Sequence, residues 1–183
     1  MRISVVGSAG SGKTTLARQV AQRVGIRHVE LDSLFHLEGW TPNPEFRPQV
    51  EAALATPAWV CDGNYSAVAD LVRGRADTIV VLDLPRWRVM TQIVSRTLGR
   101  SLLRRELWNG NREGLGNFLR WDPEQNIIRW AWTRYHPVRR RYLAARENGD
   151  WDHAEVVWLR SHREAGRWLD SLQPPEPPGP GGE

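Results

Sequence analysis

Residues 7–14 read Gly7-Ser8-Ala9-Gly10-Ser11-Gly12-Lys13-Thr14, GSAGSGKT, and this octet decides how the 183-residue chain is read. It fits the pattern GxxxxGK[ST]. Its glycines admit backbone angles that other residues resist, so successive N–H groups can turn inward on an anion. A helix opening at the end of the octet adds its positive N-terminal end at the same point. Lys13 is the only lysine in the chain; every other Lys/Arg position is an arginine. An ammonium is a compact point charge, whereas guanidinium is a planar fork that wants bidentate partners. A chain that otherwise uses arginine keeps lysine where a phosphate nest has room for one ammonium. The residues expected on a nucleoside triphosphate are Gly7, Ser8, Ala9, Gly10, Ser11, Gly12, Lys13, Thr14 and Thr15, with the Thr14 hydroxyl offered to Mg²⁺.

The flanks of the octet agree with it. Ile3 to Val6 is a short apolar run, read as a buried strand. Thr15 to Val24 has Leu16, Val20 and Val24 at helical spacing and stops at Gly25. Further strands are expected at His28–Leu31, Trp59–Cys61, Thr78–Leu84 and Glu155–Leu159. Helices are expected over Gln49–Ala55, Arg86 to about Trp108, Glu124–Arg146 with a break at Pro137, and Arg163–Leu172. Residues 39–48 (GWTPNPEFRP) hold three prolines and read as a loop. Short apolar strands alternating with helices argue for a parallel sheet buried on both faces. The tail from residue 173, QPPEPPGPGGE, reads as disordered.

Composition bounds the rest. A chain of this length is one domain and buries roughly 70% of its unfolded surface. No apolar run approaches the roughly 18 residues of a membrane span. The N-terminal apolar run is too short for a secretory leader. The single cysteine, Cys61, cannot form a disulfide within the chain and reads as a small buried apolar residue. These features suggest a cytoplasmic protein without a membrane partner. Charge is uneven. Residues 86–147 hold 14 arginines against 5 acids, a net +9, while the remainder carries −5. That segment is prepared for a polyanion.

Three acids stand at expected strand ends. Asp62, closing WVCD, can hold Mg²⁺ through water beside a phosphate loop, or can serve as a turn residue. Asp32 follows the second strand, where such sheets line their ligand crevice, and can orient or deprotonate an acceptor hydroxyl, or cap a short helix. Asp83, before Leu84-Pro85, has a structural reading. Arg96, Arg100 and Arg104 recur every four residues on one helical face. Like charges at that spacing cost a few tenths of a kcal/mol per pair, and few acids are near. Either the face is solvated or an anion sits on it; phosphoryl transfer builds the charge such arginines stabilise. The polar turn 107–113 could tip a flap over the site. Arg160 or Ser161, after the fifth strand, could touch the base.

These pieces together resemble the adenylate-kinase-like P-loop kinases. Within them, the chain resembles the bacterial topology modulation (FlaR-type) proteins. The resemblance covers about residues 1–172 and rests on GSAGSGKTTLA, HVELDSLFHLEGW, WVCDGNYS, DTIVVLDLPRW, SRTLGRSLLRRELWNGNRE and VVWLRS. It implies an α/β, three-layer P-loop NTPase fold with a five-stranded parallel sheet of order 2-3-1-4-5. It also implies an acceptor segment after the second strand and an Arg-rich helical lid inserted at about 86–150. Lys13 and Thr14 match the family's phosphate loop, Asp62-Gly63 its Asp-Gly, and Arg96 and Arg100 its lid arginines. Adenylate kinases continue that Asp-Gly with Phe-Pro-Arg, whose arginine clamps a monophosphate acceptor. Here Asn64-Tyr65-Ser66 follows, and Arg47 is the one arginine of the acceptor segment. Strand-2 acids of this kind resemble those of small-molecule kinases that act on hydroxyls.

The leading expectation is an ATP- and Mg²⁺-dependent phosphotransferase acting on a nucleotide or small-molecule acceptor, with Lys13, Asp32, Arg96 and Arg100 as its catalytic set. Two alternatives stay open. One is a nucleic-acid-associated NTPase or regulator using the basic segment and its interleaved Trp87, Trp108, Trp121, Trp130 and Trp132. The other is a nucleotide-binding switch with little turnover.

Overall fold

The computed structural model describes residues 1–103 and 127–173. Five strands, β1 (Arg2–Gly7), β2 (Arg27–Glu30), β3 (Trp59–Asp62), β4 (Thr78–Leu82) and β5 (Glu155–Leu159), form one sheet. All pair in parallel, in the order β2-β3-β1-β4-β5. The described helices are α1 (Lys13–Val24), α2 (Leu31–Phe35), α3 (Phe46–Ala53), α4 (Ala69–Arg75), α5 (Arg86–Leu103), α6 (Ile127–Glu147) and α7 (His162–Ser171). The α/β class and the strand order agree with the expectation.

Strand alternation sorts the two faces of the sheet. Ile3, Val5, Val80 and Leu82 pack with Leu16, Val20 and Val24 of α1 and Ala165 of α7. Val6, Ile79 and Val81 face the other way, toward Val50 of α3, Leu71 of α4 and Tyr142 of α6. Ile3, Val5, Val6, Val80 and Val81 are each at most 1% exposed, so each stabilises the fold by about 1.5–3 kcal/mol. Two helical layers enclose one sheet. A third cluster, Leu84, Val89, Ile93, Ala131 and Tyr135, joins α5 to α6, and Ala9 of the phosphate loop packs on it. The roots of the basic segment are therefore fastened to the loop.

Four local expectations need correction. Leu31 ends no strand; it opens α2, so Asp32 lies in a first helical turn and caps nothing. Leu31 fills the corner beside Gly63, whose φ is +139° and where a Cβ would lie 2.7 Å from that of Leu31. The helix expected from Gln49 starts at Phe46, with Pro48 in its first turn, where a missing N–H is tolerated. Helix α4 was not expected, because ADLVRGR is short and holds a glycine. Helix α6 runs unbroken through Pro137. Side-chain anchors flank the proline: the Tyr135 hydroxyl donates to the Leu84 carbonyl at 2.9 Å, and Arg139 Nε donates to Asp83 Oδ1 at 2.7 Å. Tertiary bonds hold what the local rule would break.

Asp83 has the structural role read from its sequence. Its carboxylate takes Arg139 on one oxygen and Trp158 Nε1, at 3.0 Å, on the other, tying α6 and β5 to the end of β4. Cys61 is buried, and burial pushes its thiol pKa up. Among the described residues no helix is long and apolar enough to cross a membrane. Arg104, Trp108, Trp121, the turn 107–113 and the tail beyond Gln173 lie outside the described residues, as do the side chains of Arg100 and Trp130.

Candidate active site

The site is built where β1 and β3 end. Gly7 leaves the sheet, and Gly10 and Gly12 take left-handed φ values of 77° and 92°. Gly12 caps α1, so the first free N–H groups of that helix face the loop. Glycine is needed at position 10 for a second reason. A Cβ there would strike Ile93 of α5, so α5 seats directly on the loop. Ser11 is 1% exposed, and its buried hydroxyl has no hydrogen-bond partner among the described residues. An orphaned buried hydroxyl in such a loop suits a ligand oxygen.

Lys13 Nζ lies 2.9 Å from the Ser8 carbonyl, to which it donates, so the ammonium rests over its own loop. Burial lowers its pKa, opposed by the nearby charges of Asp62 and Asp32; Arg96 adds to the lowering. One ammonium is thus within electrostatic reach of both expected acids and of the first ladder arginine. Asp62 and Asp32 both act on the Lys13 charge, and Arg96 lines the cavity beside the loop.

Register aligns Asp62 with Val5 on one side and Glu30 on the other, at the C-terminal edge of the sheet. Its side chain is 3% exposed, and both oxygens are used. Thr14 Oγ1 donates to Oδ2 at 2.6 Å, and His28 Nε2 lies 2.6 Å from Oδ1. The two groups expected on Mg²⁺ are therefore in contact. Mg²⁺ beside a nucleotide is commonly held by one or two carboxylates with phosphate oxygens and waters. Thr14 and Asp62 fit that donor set. Among the described residues no three His, Cys, Asp or Glu side chains gather as a dedicated metal cluster. His28, on β2, was not expected in the site. Only the pairing of β2 with β3 brings it there.

Asp32 Oδ1 accepts from the Tyr65 hydroxyl at 2.7 Å, and that hydroxyl lies 3.4 Å from His36 Nε2. Burial first, then Asp32, raises the Tyr65 pKa, so the phenol stays protonated and donating. Asn64 donates to the Gly7 carbonyl and accepts from the Tyr142 hydroxyl at 2.8 Å. Burial pushes the Tyr142 phenol up to about 12. The Asn64-Tyr65 pair thus braces the loop and holds Asp32.

A cavity of about 620 Å³ opens beside the loop, lined by Gly12, Thr15, Gln19, Arg96, His162 and Gly166 among others. It is within the usual size of a small-ligand site. Gln92 of α5 and His162 of α7 hydrogen bond across it. Arg160, expected at the base, is exposed and does not line this cavity. Its backbone N–H donates to Glu164 Oε2 at 2.6 Å, while Ser161 Oγ accepts from the Glu164 N–H at 3.1 Å. The pair forms an N-terminal cap for α7, which presents His162 instead. Arg47 is also engaged elsewhere: its guanidinium holds Asp70 at 2.6 and 3.0 Å and the Ala67 carbonyl at 2.7 Å. Of the interleaved tryptophans, Trp87 and Trp132 are exposed, and Arg86 lies 3.2 Å over the Trp132 ring.

No protein-family model matches the chain. Among solved structures, a sugar kinase from Janibacter sp. HTCC2649, in unliganded form, is similar over 75% of this chain and 94% of its own, with 23% identity and a TM-score of 0.35. A likeness that distant says nothing about the chemistry of this site.

Proposed function

We propose that this chain is an ATP-dependent phosphotransferase. The observation that carries the reading is the 2.6 Å contact between Thr14 Oγ1 and Asp62 Oδ2 beside Lys13. A phosphate loop alone binds an anion; a loop hydroxyl joined to a buried strand-end carboxylate provides for the metal that nucleotide chemistry needs. Loop amides and Lys13 hold the β- and γ-phosphates. Thr14 and Asp62, the latter through water, would hold Mg²⁺, which would draw charge from the phosphate oxygens. The cavity over Gly12 and Thr15 takes the nucleoside. Arg96 and Arg100 neutralise the transferring group. Asp32 orients the acceptor hydroxyl and takes its proton. The acceptor oxygen bonds to the γ-phosphorus, the bond from that phosphorus to the β–γ bridging oxygen breaks, and ADP leaves.

The test is ADP release from MgATP against a panel of nucleoside monophosphates, nucleosides and small hydroxyl compounds, with Lys13→Ala beside the wild type. A panel member that raises ADP release about a hundredfold in the wild type alone supports the reading. Slow hydrolysis that no panel member stimulates would move it to a nucleotide-binding switch. Steeply salt-dependent DNA binding, with DNA-stimulated hydrolysis, would move it to the nucleic-acid reading.

A further inference from the structure

The segment after β2 carries more than one acid. Asp32, Tyr65, His36 and Trp40 form a continuous series. The Tyr65 hydroxyl bridges Asp32 and His36. The His36 and Trp40 rings meet edge to face, with centroids 5.2 Å apart. Behind them, Phe35 and Phe46 pack on the Tyr65 ring at 4.6 and 5.0 Å, which fixes where its hydroxyl points. Asp32 Oδ1 is taken by Tyr65, and among the described residues no hydrogen bond reaches Oδ2.

Trp40 is held in an unusual way. Its φ is 60°, the left-handed region, and it follows Gly39 at 68°. Trp40 is the one described non-glycine residue with positive φ. For a bulky side chain this conformation is a steric outlier. It is kept by the Leu37 N–H donating to the Thr41 carbonyl at 2.8 Å and by the His36–Pro42 bridge. The result leaves Trp40 38% exposed beside Leu37 39% exposed, at the end of the Asp32 series. Backbone strain of this kind persists where the surroundings over-determine it, and it gathers at ligand clamps.

The charge at this end is equally specific. Arg47 is the sole arginine or lysine between Leu31 and Ala58, and it is spent on Asp70 and Ala67, binding α3 to α4. The segment offers no arginine to an acceptor's phosphate.

We infer that the acceptor is an uncharged ring compound bearing a free hydroxyl, its ring face against Trp40 and its hydroxyl on Asp32. This rests on the phosphotransferase reading and names the acceptor class for the same site. Nucleosides and cyclic sugars share that chemistry: each has a ring face that packs on an indole and a hydroxyl that gives up a proton on transfer. A nucleoside monophosphate has the ring, but brings a dianion to a segment whose arginine is occupied and whose acid is an acceptor.

Matched pairs test it: a nucleoside against its 5′-monophosphate, and a monosaccharide against its phosphate ester. ADP release is measured for each, in parallel with tryptophan emission during titration without ATP. The expected result is a kcat/KM at least tenfold higher for the uncharged member of a pair, and which pair responds identifies the source. Trp40→Ala raises the acceptor KM at least tenfold while the KM for MgATP moves less than twofold, and Trp40→Phe recovers most of the loss. Transfer to a monophosphate in preference to its nucleoside would overturn the inference and leave the phosphotransferase reading intact. So would an acceptor KM that ignores Trp40→Ala. Binding of an uncharged compound that depends on Trp40, with no ADP released, would uphold the ligand class and sink the transfer reading. The absence of both binding and transfer across all the uncharged members would overturn the inference.

Discussion

Lys13 is where geometry and charge select a residue most narrowly. Its ammonium is desolvated, rests against the loop backbone, and answers to Asp62, Asp32 and Arg96 together. A guanidinium keeps the charge but brings a planar fork into space shaped for a point charge. Lys13→Arg is expected to lower kcat/KM at least a hundredfold, about 2.7 kcal/mol of transition-state stabilisation, with thermal melting nearly unchanged. Steady-state kinetics and a melting curve on one preparation check both halves. Thr14 and Asp62 act as a unit through their 2.6 Å bond, with His28 orienting the carboxylate. Thr14→Ala and Asp62→Asn should each weaken Mg²⁺-dependent ATP binding about tenfold or more, and the double variant should lose far less than the two losses combined. Calorimetry with and without Mg²⁺ reads the cycle. Lys13 and Thr14 were legible because their octet is a local device, in which spacing alone sets backbone geometry, and Asp62 because an acid closes an apolar strand run. His28 and Tyr65 were not. Each acts through a partner more than thirty positions away in the chain, and nothing local marks it.

At the scale of elements, the contacts between helix and loop decide the site. Helix α5 rests on Gly10 through Ile93, one turn before Arg96. Gly10→Ala places a methyl in Ile93 and forces a left-handed alanine, a strain of about 1–2 kcal/mol. The expected outcome is ATP affinity at least tenfold weaker with the fold retained, measured by calorimetry and circular dichroism. Helices α3 and α4 are joined by Arg47 and Asp70, and the guanidinium holds the Asp70 pKa down to about 2. A carboxyl depressed in the folded state stabilises above its unfolded value near ~3.9 and loses that contribution as pH falls through its folded one. Wild type should exceed Asp70→Asn in urea midpoint at pH 6, and the gap should close as pH falls toward 2. Both side chains are substantially exposed, so the gap is small. Periodicity announced the strands and α1, where one buried face repeats. It missed α4, short and carrying Gly74, and it expected a break at Pro137 that Tyr135 and Arg139 override.

Across the whole molecule, one parallel sheet brings segments from far apart in the chain to a single edge. The glycine-rich loop follows β1, the segment carrying Asp32 follows β2, Asp62 ends β3, and the basic segment leaves after β4. The strand order was legible through resemblance, since alternation alone gives strands without their neighbours. Asp83 joins β4, β5 and α6 from a side chain 6% exposed. Asp83→Asn should cost about 1–3 kcal/mol, since it weakens a charge-assisted bond in a mostly buried position. A urea titration measures that loss, and ATP affinity should change little. On the proposed reading, the γ-phosphoryl group moves to an acceptor rather than to water. Phosphorus NMR of MgATP with the enzyme and a mixture of uncharged hydroxyl compounds tests it most directly. A new phosphoester resonance that grows in step with ADP, and is lost in Lys13→Ala, is the predicted result. ADP accompanied only by inorganic phosphate would contradict it.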